Sequence, residues 1–190
     1  MPRPSLADVR KPQLLDSYAR CLVKFGPEGS TLDRIAAEAG VTRALVRHYL
    51  GNREDVDRAF VAHIRTMYVD WFLGLGTGLP SAQRLPIVLD ALFSQDTDEP
   101  SGSVDALLGA SAEDPVLQGL LREMYLELEH LLDAELASSK PEADPQERRR
   151  VAYGILCLAG MHRSLSDVGF PTDRGRAARA CAQQLVASLG

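Results

Sequence analysis

The chain has 190 residues, 45% hydrophobic and 25% charged, an ordinary globular composition with room for one domain or two small ones. Its net charge of −5 is unevenly placed: residues 1–65 carry 11 Lys and Arg against 8 Asp and Glu, and residues 66–190 carry 10 against 18. The three cysteines, Cys21, Cys157 and Cys181, show no metal or redox spacing, and the longest apolar stretch, residues 151–161, is too short to span a bilayer. With no signal-like run at the N-terminus, the expectation is a cytoplasmic protein with no metal, no cofactor and no membrane association.

In chain order, residues 1–11 read as a mobile arm, and Pro12 is expected to open a helix. Leu14, Leu15, Tyr18, Leu22 and Phe25 form its apolar stripe, and Gly26-Pro27 ends it. The stretch Ser30–Asp55 then predicts two short helices, a tight turn between them, and the start of a third. Leu32, Ile35, Ala36 and Ala39 recur at helical spacing. Ser30 is expected to cap that helix with Asp33 as its reciprocal partner. Gly40 supplies the left-handed turn, and Thr42 caps the second helix.

In that second helix Arg43, Ala44, Arg47 and His48 share one face. Val46 and Leu50 lie on the opposite face, with Leu45 and Tyr49 at the edges. A helix that is apolar on one side and cationic on the other suits a DNA major groove, and Arg matches both phosphate oxygens and the paired acceptors of guanine. Gly51 then turns the chain. Asn52 caps the third helix with Asp55 as box partner, and Arg53 sits in its first turn, where phosphate is also favoured.

Residues 31–55, TLDRIAAEAGVTRALVRHYLGNRED, resemble the TetR (tetracycline-repressor-like) family of bacterial regulators. The resemblance implies a helix-turn-helix DNA-binding domain at 1–51 and a helical effector-binding and dimerisation domain at 52–190. It implies that Arg43, Ala44 and Arg47 face bases, with Leu45 and His48 at the edges, and that Thr31, Thr42, Tyr49 and Arg53 hold phosphates. Many members carry an aromatic residue where this chain has Arg47, so base or phosphate contact by Arg47 takes the place of that ring.

The third helix is expected to run on through Val56, Phe60, Ile64, Met67, Tyr68 and Phe72, as a lever between the two domains. Residues 74–78 read as an inter-helix loop, since no strand precedes the glycines and no Lys-Ser/Thr pair follows. Helices are then expected at 83–93 and 104–110, either side of an acidic loop at 95–103. Asp114-Pro115 opens a longer leucine-rich helix, and helices follow at 146–168 and 173–189. No strand alternation is visible, so the expected fold is all-α with about nine helices.

An effector pocket is expected among Met67, Tyr68, Trp71, Phe72, Phe93, Met124, Tyr125 and His162, each of which reads more readily as core than as ligand contact. By the resemblance, the last two helices pair with those of a second copy through Ile155, Ala159, Ala178, Cys181, Ala182 and Leu185. His48, His63, His130 and His162 are scattered, and no catalytic constellation accompanies them, so an enzyme is not expected. The leading function is a ligand-responsive regulator, most simply a repressor. It would bind an inverted-repeat operator in double-stranded DNA as a homodimer and be released by a small molecule. The alternative is a helical ligand-binding or adaptor protein without sequence-specific DNA binding.

Overall fold

The computed structural model describes residues 6–94, 102–171 and 173–190. Among these residues the chain is all-α, with nine helices and no strand. They are α1 (Leu6–Gly29), α2 (Leu32–Ala39), α3 (Arg43–Leu50), α4 (Arg53–Gly74), α5 (Ser81–Leu92), α6 (Ser103–Ala110), α7 (Pro115–Ser139), α8 (Pro145–Asp167) and α9 (Arg174–Ala187). The expected arm at 1–11 is corrected in part, because α1 starts at Leu6 and carries Pro12 inside it. Pro12 therefore lies inside the helix rather than at its first turn. Residues 1–5 of that arm, and most of the acidic loop expected at 95–103, lie outside the described residues.

The chain divides into two compact units. One comprises residues 1–66 and 99–124, and the other 67–98 and 125–190. In the first unit, α1 is the central strut. It buries Leu14, Leu15, Tyr18, Cys21 and Leu22 and packs against α2 and α3, which bury Ile35, Ala36, Val46 and Leu50, and its Tyr18 ring meets Phe60 of α4. The short α6 packs on α1 and buries Leu107. Asp114 caps α7, accepting from the amides of Val116 and Leu117 at 2.9 and 3.0 Å, with Pro115 at the first helical position.

The second unit has its own core of Phe72, Leu85, Val88, Leu89, Phe93, Leu132, Leu136, Val151, Ile155, Ala182 and Val186. Here α8 and α9 pack side by side. Gly154 is the close-approach glycine of that pair, since a methyl group in its place would meet the Leu185 side chain at 3.3 Å. The same Asp-Pro arrangement that opens α7 opens α8: Asp144 accepts from Gln146 and Glu147 ahead of Pro145. The least exposed ion pairs of this unit are Arg84–Glu135 at 3.0 Å and Arg148–Asp133 at 2.7 Å.

Candidate nucleic-acid interface

The helix pair at 31–50 is built by local chemistry. The cap of α2 is Thr31, whose hydroxyl oxygen accepts from the Arg34 amide at 3.3 Å. The Ser30 cap expected from the sequence is therefore corrected by one residue. The chain breaks at Gly26, with φ 68° and ψ 176°, and this folds the buried Ser30 back so that its hydroxyl donates to the Gly26 carbonyl at 2.7 Å. At the other end of α2, Gly40 adopts φ 64°, and the Val41 amide closes onto the Ala36 carbonyl at 2.9 Å. Thr42 caps α3 by accepting from the Leu45 amide. Asn52 and Asp55 form the reciprocal box of α4, each side chain accepting from the other's amide at 3.0 Å. A Cβ at Gly51 would overlap the Asp55 carboxylate, so the turn between α3 and α4 requires glycine.

The α3 face is arranged as its spacing predicts. Arg43, Ala44, Arg47 and His48 are exposed, Val46 and Leu50 are buried, and Leu45 and Tyr49 are half-buried at the margins. The His48 and Tyr49 rings meet edge to face, 5.0 Å apart. Arg47 forms no ion pair or hydrogen bond among the described residues. Arg43 is engaged by Asp33 of α2 at 3.1 Å, a carboxylate that the sequence pattern assigns to a cap.

Arg53, expected to hold phosphate, is bonded within the chain. Its Nη1 donates to the Ser30 carbonyl at 2.7 Å and its Nη2 to the Tyr18 hydroxyl at 2.5 Å, while Asp57 lies 3.0 Å away. The Tyr18 hydroxyl in turn donates to Asp57. This node ties α1, the α1–α2 turn and α4 into one piece and points the guanidinium inward. Sequence reasoning misses Tyr18 and Asp57 as polar partners because they meet across 39 positions of sequence.

Burial pushes the Asp57 carboxyl up from its ordinary value, against the hydrogen bond from Tyr18 and the Arg53 charge, which pull it down. Burial, helped by the Asp57 charge, likewise holds the Tyr18 phenol well above its usual range. The sign for Asp57 follows: the native head binds its proton more readily than the unfolded chain, so this group's contribution falls as pH rises from about 3.8 through the raised value. Asp57→Asn keeps an acceptor for Tyr18 and is expected to remove that slope in urea midpoints measured between pH 4 and pH 7. Asp57→Ala leaves buried donors unpartnered and is expected to cost about 1–3 kcal/mol. Equal slopes in the Asp57→Asn variant and wild type would rule this account out.

The effector residues expected from the sequence are dispersed in burial. Phe72, Phe93 and Met124 are core residues, Met67 is exposed, and Tyr68, Trp71, Tyr125 and His162 are half-buried. Met124 belongs to the first unit and the other seven to the second. His162 stands 6.1 Å from the Phe93 ring centre, beside Gly175, with its Nε2 buried and without a hydrogen-bond partner. A polar cleft of about 410 Å³ lies elsewhere, in the head, lined by Arg10, Gln13, Ser17, Arg20 and Glu38 among others.

The residues expected at a dimer interface differ in burial within this chain. Ile155, Ala159 and Ala182 are buried in the core of the second unit, and Ala178 and Leu185 are half-buried. Of that set only Cys181 is exposed. The exposed apolar side of α8 instead presents Tyr153, Cys157 and Met161. Among the described residues no helix is long and apolar enough to cross a membrane, and no group of side chains could hold a metal ion.

A capped helix pair with a cationic outer face, within an all-α chain, is the arrangement of a helix-turn-helix. No family model matches the sequence. The regulator BetI of Escherichia coli K12, an HTH-type transcriptional regulator, is 24% identical over 93% of this chain and 92% of its own length. Among solved structures, a TetR transcription regulator from Haloarcula marismortui superposes with a TM-score of 0.78 at 19% identity, covering 94% of this chain and 97% of that one. A transcriptional regulator from Pseudomonas aeruginosa PAO1 gives 0.77 at 21% identity, covering 96% and 90%. The chain is similar in sequence to an HTH-type transcriptional regulator and has the all-α fold of solved TetR-type regulators.

Proposed function

We propose that the chain is a repressor that binds an inverted-repeat operator as a homodimer and leaves it when a small molecule occupies the second unit. The observation that carries the reading is the α3 surface: Arg43, Ala44, Arg47 and His48 are exposed over a buried Val46 and Leu50. Two such helices related by a two-fold, about 34–36 Å apart, would enter successive major grooves. Base readout falls to Arg43 and Arg47. Thr31 and Thr42 have hydroxyl protons to offer phosphate, because their oxygens act as acceptors in the caps. A second copy fits the exposed side of α8, where Tyr153 is 59% and Met161 60% exposed, large values for such side chains in a lone chain. Effector entry falls to the second unit, around Trp71, Phe93 and His162, where a buried ring nitrogen lacks a partner. The ligand releases DNA only insofar as it favours a non-binding arrangement.

The test is selection from random duplex DNA, followed by gel shifts at two salt concentrations and sedimentation of the free protein. A palindromic preferred sequence, affinity falling steeply with salt, and a dimeric mass are expected. Selection that returns no preferred sequence would bring forward the adaptor reading.

A further inference from the structure

We infer that Asp33 is a specificity-positioning residue: its carboxylate holds the Arg43 guanidinium so that a free edge of that group is presented to a guanine. This rests on the DNA-reading function proposed above. Asp33 lies in the first turn of α2 and Arg43 at the first position of α3, and the Gly40 turn brings them together. Arg43 Nη1 donates to Asp33 Oδ2 at 3.1 Å. That bond occupies one nitrogen. The Nε and Nη2 donors form the opposite edge of the planar group, and a paired edge of this kind matches O6 and N7 of guanine.

Three observations favour positioning over a merely structural pair. Both side chains are more than half exposed, at 59% and 65%, so the pair adds little to stability. The α2 terminus is already capped by Thr31, and the attraction of an acid to the first turn is satisfied equally well by a side chain turned to solvent. A carboxylate on the face that meets DNA repels phosphate, so its presence there calls for a compensating role. Fixing an arginine's rotamers costs binding energy, and the ion pair settles part of that cost before DNA arrives. Arg47, one turn further along α3, has no such partner, so only one of the two arginines is held in advance.

The experiment takes the duplex selected by wild type and replaces each base pair of a half-site in turn. Dissociation constants are then measured for wild type, Asp33→Ala, Asp33→Asn, Arg43→Ala and the Asp33→Ala/Arg43→Ala double variant, with circular dichroism to verify folding. Arg43→Ala is expected to flatten the preference at one position. Asp33→Ala should weaken the preference at that same position by about two- to fivefold. Asp33→Asn, which keeps an acceptor oxygen, should retain most of it, and Asp33→Ala should change nothing further there once Arg43 is gone. A uniform change across every duplex, or flattening at a position that Arg43→Ala leaves alone, overturns the inference while the regulator reading stands. If wild type selects no sequence at all, the regulator reading itself fails.

Discussion

Replacing Arg47 by alanine is expected to lower operator affinity by about 1–3 kcal/mol for each half-site if the side chain makes a bidentate guanine contact, so by roughly 2–6 kcal/mol for a dimer. The side chain is exposed on α3, lies one turn from Arg43, and has no internal partner to give up. Nothing in the head's core depends on it, so thermal stability should stay within about 0.5 kcal/mol of wild type. Gel shifts against the selected duplex and a scrambled one separate two roles. A base contact loses the preference for the selected duplex. A phosphate contact weakens both duplexes alike and flattens the salt slope by about one per half-site. Lysine at this position cannot reproduce a bidentate contact and should rescue only a phosphate role. Unchanged affinity for both duplexes would remove Arg47 from the interface.

Phe60→Ala is the largest stability change expected, about 3–5 kcal/mol. The ring is 1% exposed and meets the Tyr18 ring edge to face, with centres 5.2 Å apart. Val56 and Ile64 are buried on the same face of α4. Removing the ring leaves a cavity against the tyrosine whose hydroxyl anchors Arg53 and Asp57, so packing and the polar node weaken together. Domains carry only about 5–15 kcal/mol in total, so the head should be substantially destabilised and DNA binding should fall even though Phe60 is remote from the exposed α3 face. Urea unfolding followed by far-ultraviolet circular dichroism reads the change. Phe60→Leu should recover much of it, and a loss below about 1 kcal/mol for alanine would contradict this packing.

The α3 surface is readable from sequence because everything that sets it is local: a period of 3.6, a cap three residues from its target, and a glycine at the turn. The Ser30/Thr31 slip shows the limit of local reading. Both residues cap helices well, and the choice between them is made by the break at Gly26, which turns Ser30 back onto a carbonyl four residues earlier. The role of Arg53 is not readable, because its partners Tyr18 and Ser30 lie 35 and 23 positions away. Nor does a helix apolar on several sides, such as α8, disclose which side its own chain covers. Ile155 and Ala159 are buried in the core of the second unit, while Tyr153 and Met161 remain exposed. The grouping of α6 with α1 likewise depends on a contact between distant stretches that no periodicity announces.

The sequence contains a single tryptophan, Trp71, and it packs half-buried against the core of the second unit. Its intrinsic fluorescence is therefore a label already built into that unit and absent from the head. A wavelength shift on adding a candidate small molecule would register an event around Trp71 without any attached dye. The same emission, recorded beside circular dichroism during denaturation of Phe60→Ala, separates the melting of one unit from that of the whole chain.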